Sequence, residues 1–186
     1  MTANDINTGD VLLVGANSFL SKAIQKFEKC GYSHAALFIR LNAPTLINNT
    51  LYQSGLYVAE MLANGLCFTN FNDYIKGSDR LLILKPKYAV NPDNYCKNVF
   101  PMLGKEKYGF VNLFLCQPIK FLTNYRIWFG DVSDNAPPRM ICGEFVEDMI
   151  NRENPDLFQN WMRDAPSDIF NSDQFTQYEY SRSLLN

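Results

Sequence analysis

The front of the chain is a succession of short apolar runs, and this rhythm limits the fold more than any other feature. Asp10–Val14 (DVLLV), His34–Leu41 (HAALFIRL), Leu56–Met61 (LYVAEM) and Arg80–Lys85 (RLLILK) are each five to eight residues long. Apolar runs of that length, bounded by turn-forming residues, predict strands. Leu66–Phe68 adds a shorter one. Helical spacing appears between and after them. Phe19, Leu20, Ala23, Ile24 and Phe27 paint one face of a helix, with Asn17 or Ser18 as its cap and Gly31 as its left-handed exit. Asn91–Pro92 opens a second helix that runs to about Leu103. In CGEFVEDMINR, Phe145, Val146, Met149 and Ile150 define a third, and Pro137 and Pro138 keep its start close to Cys142. Phe175–Tyr180 reads as a last strand. Strands near the front with flanking helices give an α+β fold.

Composition removes several function classes. At 186 residues and 47% hydrophobic, the chain can bury a core as one domain over 1–186 without metal or disulfide staples. Seventeen basic against nineteen acidic side chains leave a net charge of -2, so the cationic surplus that nucleic-acid binding requires is missing. No stretch approaches the ~20 apolar residues of a membrane span. The richest, Phe110 to Leu122, is interrupted by Asn112, Gln117, Pro118 and Lys120. Met1–Asp5 has neither the basic nor the apolar part of a signal peptide, which makes a cytoplasmic location the expectation, with export or virion packaging by another route left open. Five cysteines, an odd number with no CxxC pair and no zinc-ligand spacing, read as reduced thiols. No cofactor or metal is expected. Asp131–Pro138 (DVSDNAPP) reads as a surface loop.

Three residues stand out for chemistry. Cys142 lies at a helix start, where unsatisfied backbone N–H groups and the positive end of the macrodipole favour a thiolate. Glu144, Glu147 and Asp148 in the first two turns oppose it, and a buried cysteine is more often a small apolar residue. His34, the one histidine, begins a strand on which alternation gives it a face shared with Ala36 and Phe38. Glu60 shares a strand face with Leu56 and Val58, where a carboxylate costs several kcal/mol unless paired, and an imidazolium is a suitable partner. Each has an ordinary reading when taken singly. Together a helix-start Cys, a strand-start His and a strand Glu are the parts of a papain-type cysteine hydrolase.

The order of motifs resembles the circularly permuted branch of the NlpC-like papain-fold hydrolases, the group of YiiX- and YebB-like proteins. Thr8-Gly9-Asp10-Val11-Leu12-Leu13 is similar to its opening strand, and Tyr32-Ser33-His34-Ala35-Ala36-Leu37 to its histidine strand. Tyr57-Val58-Ala59-Glu60 with Gly65-Leu66 is similar to its acidic strand pair. Cys142-Gly143-Glu144-Phe145-Val146 is similar to its cysteine helix, and Ala165-Pro166-Ser167-Asp168-Ile169 to its tail. The resemblance implies a central antiparallel sheet with the Cys142 helix packed against it. It also implies Cys142 as nucleophile, His34 as base and Glu60 as orienting group. The activity implied is cleavage of an amide or ester carbonyl through a thioester acyl-enzyme, with a peptidoglycan peptide, another small peptide or an acyl lipid as substrate. A binding module for lipid or protein that keeps the fold without turnover is the alternative. The aromatic-rich segment 115–138, with Phe121, Leu122, Ile127, Trp128 and Phe129, reads as an insertion, either a local satellite core or a lid or acyl-chain groove.

Overall fold

Alternation along His34–Leu41 decides the architecture. Ala35, Leu37, Ile39 and Leu41 turn to one side and Ala36 and Phe38 to the other, and all six are buried. A strand buried on both faces needs cover on both. The computed structural model describes residues 1–76, 80–104, 107–108, 139–155, 157 and 165–180. Its strands are β1 (Val11–Gly15), β2 (His34–Leu41), β3 (Thr45–Ile47), β4 (Thr50–Tyr52), β5 (Gly55–Leu62), β6 (Gly65–Asn70), β7 (Arg80–Pro86), β8 (Lys107–Tyr108), β9 (Arg139–Met140) and β10 (Phe175–Glu179). Six of them form one sheet in the order β10-β7-β1-β2-β5-β6, antiparallel at every pairing.

The helices are α1 (Phe19–Glu28), α2 (Phe71–Tyr74), α3 (Pro92–Val99), α4 (Cys142–Glu153) and α5 (Pro166–Phe170). Tyr95 and Val99 of α3, Phe145, Val146, Met149 and Ile150 of α4, and Ile169 of α5 cover the first face of the sheet. Ile6 from the N-terminal segment and Phe71 and Ile75 at α2 cover the second. Phe145 is wholly buried, so its truncation to alanine costs on the order of 3–5 kcal/mol. No helix among the described residues is long and apolar enough to cross a membrane. The four described cysteines, Cys30, Cys67, Cys96 and Cys142, are free thiols.

Local chemistry explains several boundaries. Ser18 caps α1 by accepting the Ser21 N–H at 3.2 Å, and the Asn91 side chain caps α3 through the Asp93 N–H at 3.1 Å. Asp10 in the Gly-Asp motif is structural. It accepts the Asn7 N–H at 2.9 Å and meets Lys85 Nζ at 3.1 Å, while burial pushes its carboxyl up. Gly15 is needed because a Cβ there would strike the Gly31 carbonyl, which brings the two ends of the α1 excursion together.

The structure departs from the sequence expectations in four places. The left-handed residue closing α1 is Lys29 (φ 50), not Gly31. The helix beginning at Pro92 ends as an α-helix at Val99 and continues to Met102 as a 3-10 turn. A hairpin, β3–β4, lies between the predicted strands His34–Leu41 and Leu56–Met61, where no element is predicted. Its two turn residues, Asn48 (φ 47) and Asn49 (φ 64), are both left-handed, the geometry of a two-residue hairpin loop. Finally, no residue of α1 is fully buried, and Phe19, Leu20 and Phe27 of its apolar face are exposed while Ala23 and Ile24 are half-buried. The expected loop Asp131–Pro138 and the insertion 115–138 lie outside the described residues.

Candidate active site

The site stands at the end of the sheet where β1 stops and β2 begins. Val14, the last apolar residue of β1, pairs with His34, the first residue of β2. Glu60 lies near the far end of β5, which pairs with β2, and on the sheet face that carries Leu56 and Val58. There the side chains meet. His34 Nε2 and Glu60 Oε2 are 2.9 Å apart. The imidazole keeps 21% of its surface exposed and the carboxylate 6%, so His34 is the open side of the pair and Glu60 its buried backing.

Cys142 approaches from above the other end of this pair. It is the first residue of α4, is 4% exposed, and lies near enough to His34 to be the leading influence that raises the imidazole's pKa. With Nε2 committed to Glu60, Nδ1 is the ring nitrogen left for another partner. α4 packs on β2 and β5, which fixes the distance between thiol and imidazole through two core-anchored elements. No side chain caps α4, since Ile141 at the cap has no acceptor to offer. Glu144 instead turns back and accepts the Ile141 N–H at 2.8 Å. Asp148 pairs with Arg152 at 2.9 Å one turn on. Glu144 and Asp148, which oppose a thiolate on paper, thus have defined partners of their own.

Electrostatics joins the three groups. Burial by itself pushes the His34 pKa down. The charge and hydrogen bond of Cys142, followed by those of Glu60, more than reverse this and raise it from 6.5 to about 10. The imidazole is therefore held as an imidazolium between two acidic groups. Cys30, Cys67 and Cys96 are all pushed up, by burial first, and Cys67 also by the Glu60 carboxylate opposite it on β6.

A fourth residue belongs to the cluster, and sequence reasoning missed it. The Tyr74 hydroxyl, at the end of α2, donates to Glu60 Oε2 at 3.0 Å, the same oxygen that holds His34. Burial, then the neighbouring carboxylate, pushes this hydroxyl up, so it stays protonated and remains a donor. The available signal was weak: Asn70 as a cap followed by Phe71 and Tyr74 on one short turn.

Comparison with known proteins agrees with the architecture. No family model matches the chain, and no curated protein does so. Among solved structures, the crystal structure of metalloprotein YiiX from Escherichia coli O157:H7 superposes with a TM-score of 0.52. The match covers 95% of this chain and 98% of that one at 16% sequence identity. The fold is YiiX-like. At that identity the likeness concerns the course of the backbone and nothing of the chemistry.

Proposed function

We propose that this chain is a cysteine hydrolase or acyltransferase of the permuted NlpC-like papain-fold type, acting on an amide or ester carbonyl. The observation that carries the reading is the cluster of Cys142, His34 and Glu60, in which a buried carboxylate 2.9 Å away backs an imidazole whose pKa is raised first by a thiol at a helix start. A charge chain of this kind inside a sheet end costs desolvation energy and contributes little to stability, so chemistry is its natural use.

In this mechanism the Cys142 thiolate adds to the carbonyl carbon, and the oxyanion forms at the uncapped start of α4, where the Cys142 N–H has no intrahelical acceptor. His34 gives its proton to the leaving amine or alcohol as the carbon–heteroatom bond breaks, leaving a thioester. The neutral imidazole then takes a proton from water, or from another acceptor nucleophile, whose attack releases the acyl group and restores the thiolate. Glu60 holds the ring in place and offsets its charge at each imidazolium stage. Tyr74 fixes the carboxylate without touching the reacting atoms. Peptidoglycan peptides and acyl lipids both present the required carbonyl.

YiiX is described as a metalloprotein. In this chain no group of three or more His, Cys, Asp or Glu among the described residues is arranged to hold a metal ion. His34 Nε2 is also already committed to Glu60. These residues do not fit a resident ion, and no step runs through one.

The deciding experiment is alkylation at pH 6, resolved by cysteine. Cys142 should react faster than Cys67 and Cys96, and His34→Ala should erase the advantage. If Cys142 reacts no faster than those two, the fold serves binding and not turnover. Fluorogenic acyl esters assayed beside a muropeptide digest then separate the two substrate classes.

A further inference from the structure

Helix α1 is amphipathic with its faces reversed. At 100° per residue, Ser21, Gln25 and Glu28 fall on one arc and Phe19, Leu20 and Phe27 on the opposite side. The polar arc faces the protein. Gln25 Nε2 donates to the Ala16 carbonyl at 2.9 Å, and Glu28 Oε2 accepts the Ser167 N–H at 3.0 Å. The apolar arc faces out: Phe19 is 92% exposed, Phe27 53% and Leu20 44%. Lys22, Lys26 and Lys29, all exposed, run along one border of that arc. Glu28 is the only acid in the helix, and it is turned to Ser167.

We propose that α1 docks the protein on an anionic lipid surface. Phe19, Leu20 and Phe27 enter the boundary between headgroups and acyl chains. Lys22, Lys26 and Lys29 lie against lipid phosphates with their stems along the apolar edge. The charge pattern selects this occupant. Two phenylalanines and a leucine cover far less than the ~800 Å² per partner that a stable interface between two copies needs. A lipid surface needs only a shallow apolar insertion and a basic border, and α1 has both. The helix connects β1 to β2, so docking here sets the His34 end of the sheet next to the bilayer. The inference is independent of the chemistry proposed above.

The test is co-sedimentation of the full chain with vesicles of phosphatidylcholine, alone or with a minority of phosphatidylserine. The wild-type chain should pellet with the mixed vesicles, less with the neutral ones, and less again as salt rises. The double variant Phe19→Ser, Phe27→Ser removes only exposed side chains and should fold normally, yet its partition should fall at least about tenfold at every salt concentration. Lys22→Gln and Lys26→Gln should each weaken binding by up to about fivefold at low salt only. Leu46→Ser with Leu51→Ser alters the exposed apolar pair on the β3–β4 hairpin and should leave binding unchanged. The proposal is overturned if the wild type stays in the supernatant, if the double phenylalanine variant binds like the wild type, or if the hairpin variant loses as much as the helix variant. It is equally overturned if light scattering shows a wild-type dimer that the phenylalanine variant breaks, which would make the face a contact between copies. Because the readout is binding, these outcomes are distinct from a failure of Cys142 alkylation.

Discussion

The sheet end at His34 and the outer face of α1 are neighbours that break the same rule in opposite directions. At the first, a carboxylate, an imidazolium and a tyrosine hydroxyl are packed where hydrocarbon is normally found. At the second, two phenylalanines and a leucine stand where lysine and glutamate are normally found. The polar groups are tolerated because each finds a partner within 3.0 Å, whereas the apolar ones have no such local compensation. Local rules fail at places selected for something other than stability, and the two failures differ in how a substitution is felt. Changes at the sheet end should alter chemistry and folding together. Changes on α1 should alter neither.

The largest effect separates the two regions most sharply. Cys142→Ala should reduce turnover of an acyl ester or muropeptide on the order of 10⁴-fold, since the thiol forms the covalent intermediate. Retained turnover would remove Cys142 from the chemistry. Next comes Glu60. Glu60→Leu leaves His34 without its buried partner and should destabilise the fold by about 3 kcal/mol at pH 6, as well as losing most activity. Glu60→Gln keeps the hydrogen-bonding shape and should retain much of the activity. The pH dependence has a definite sign. Folding raises the His34 pKa from 6.5 to about 10, so the stability tied to the imidazolium is complete below about pH 6.5 and is lost as pH climbs through about 10. The stability gap between wild type and Glu60→Leu should narrow over that window, and a gap that widened with pH would contradict the pairing.

A smaller effect is expected at Tyr74. Tyr74→Phe removes one charge-assisted hydrogen bond and should lower kcat about tenfold with KM unchanged, because the hydroxyl touches the carboxylate and not the substrate. A rise in KM alone would place Tyr74 in substrate binding instead. The smallest effect lies on α1. Phe19→Ser should change stability by less than about 0.5 kcal/mol in urea unfolding, as expected for a side chain 92% exposed. A larger loss would mean that Phe19 is packed in solution.

Much of this molecule is readable before any coordinate is seen, and the exceptions have physical causes. The run HAALFIRL starts and ends where β2 does, because a doubly buried strand carries its signal in every residue. Cys142 opens its helix as the nearby prolines require. The pairing of Glu60 follows from the cost of leaving a carboxylate alone among Leu56 and Val58, and the one imidazole available is the group that answers it. The hairpin β3–β4 was hidden because its strands have three residues each, too few for alternation to register, and only the Asn48-Asn49 pair marked the turn. For α1, periodicity locates an apolar face but says nothing of the direction in which it turns, and that direction was set by Gln25 and Glu28 bonding inward. Tyr74 escaped notice because its role depends on a contact between α2 and β5 that no local pattern records.

With a single imidazole in the whole chain, the cluster at the sheet end carries its own spectroscopic label. The ring protons of His34 give one pair of aromatic NMR signals that belong to no other residue. Thiol modification, substrate turnover and lipid contact can each be followed by those two lines in the unaltered protein.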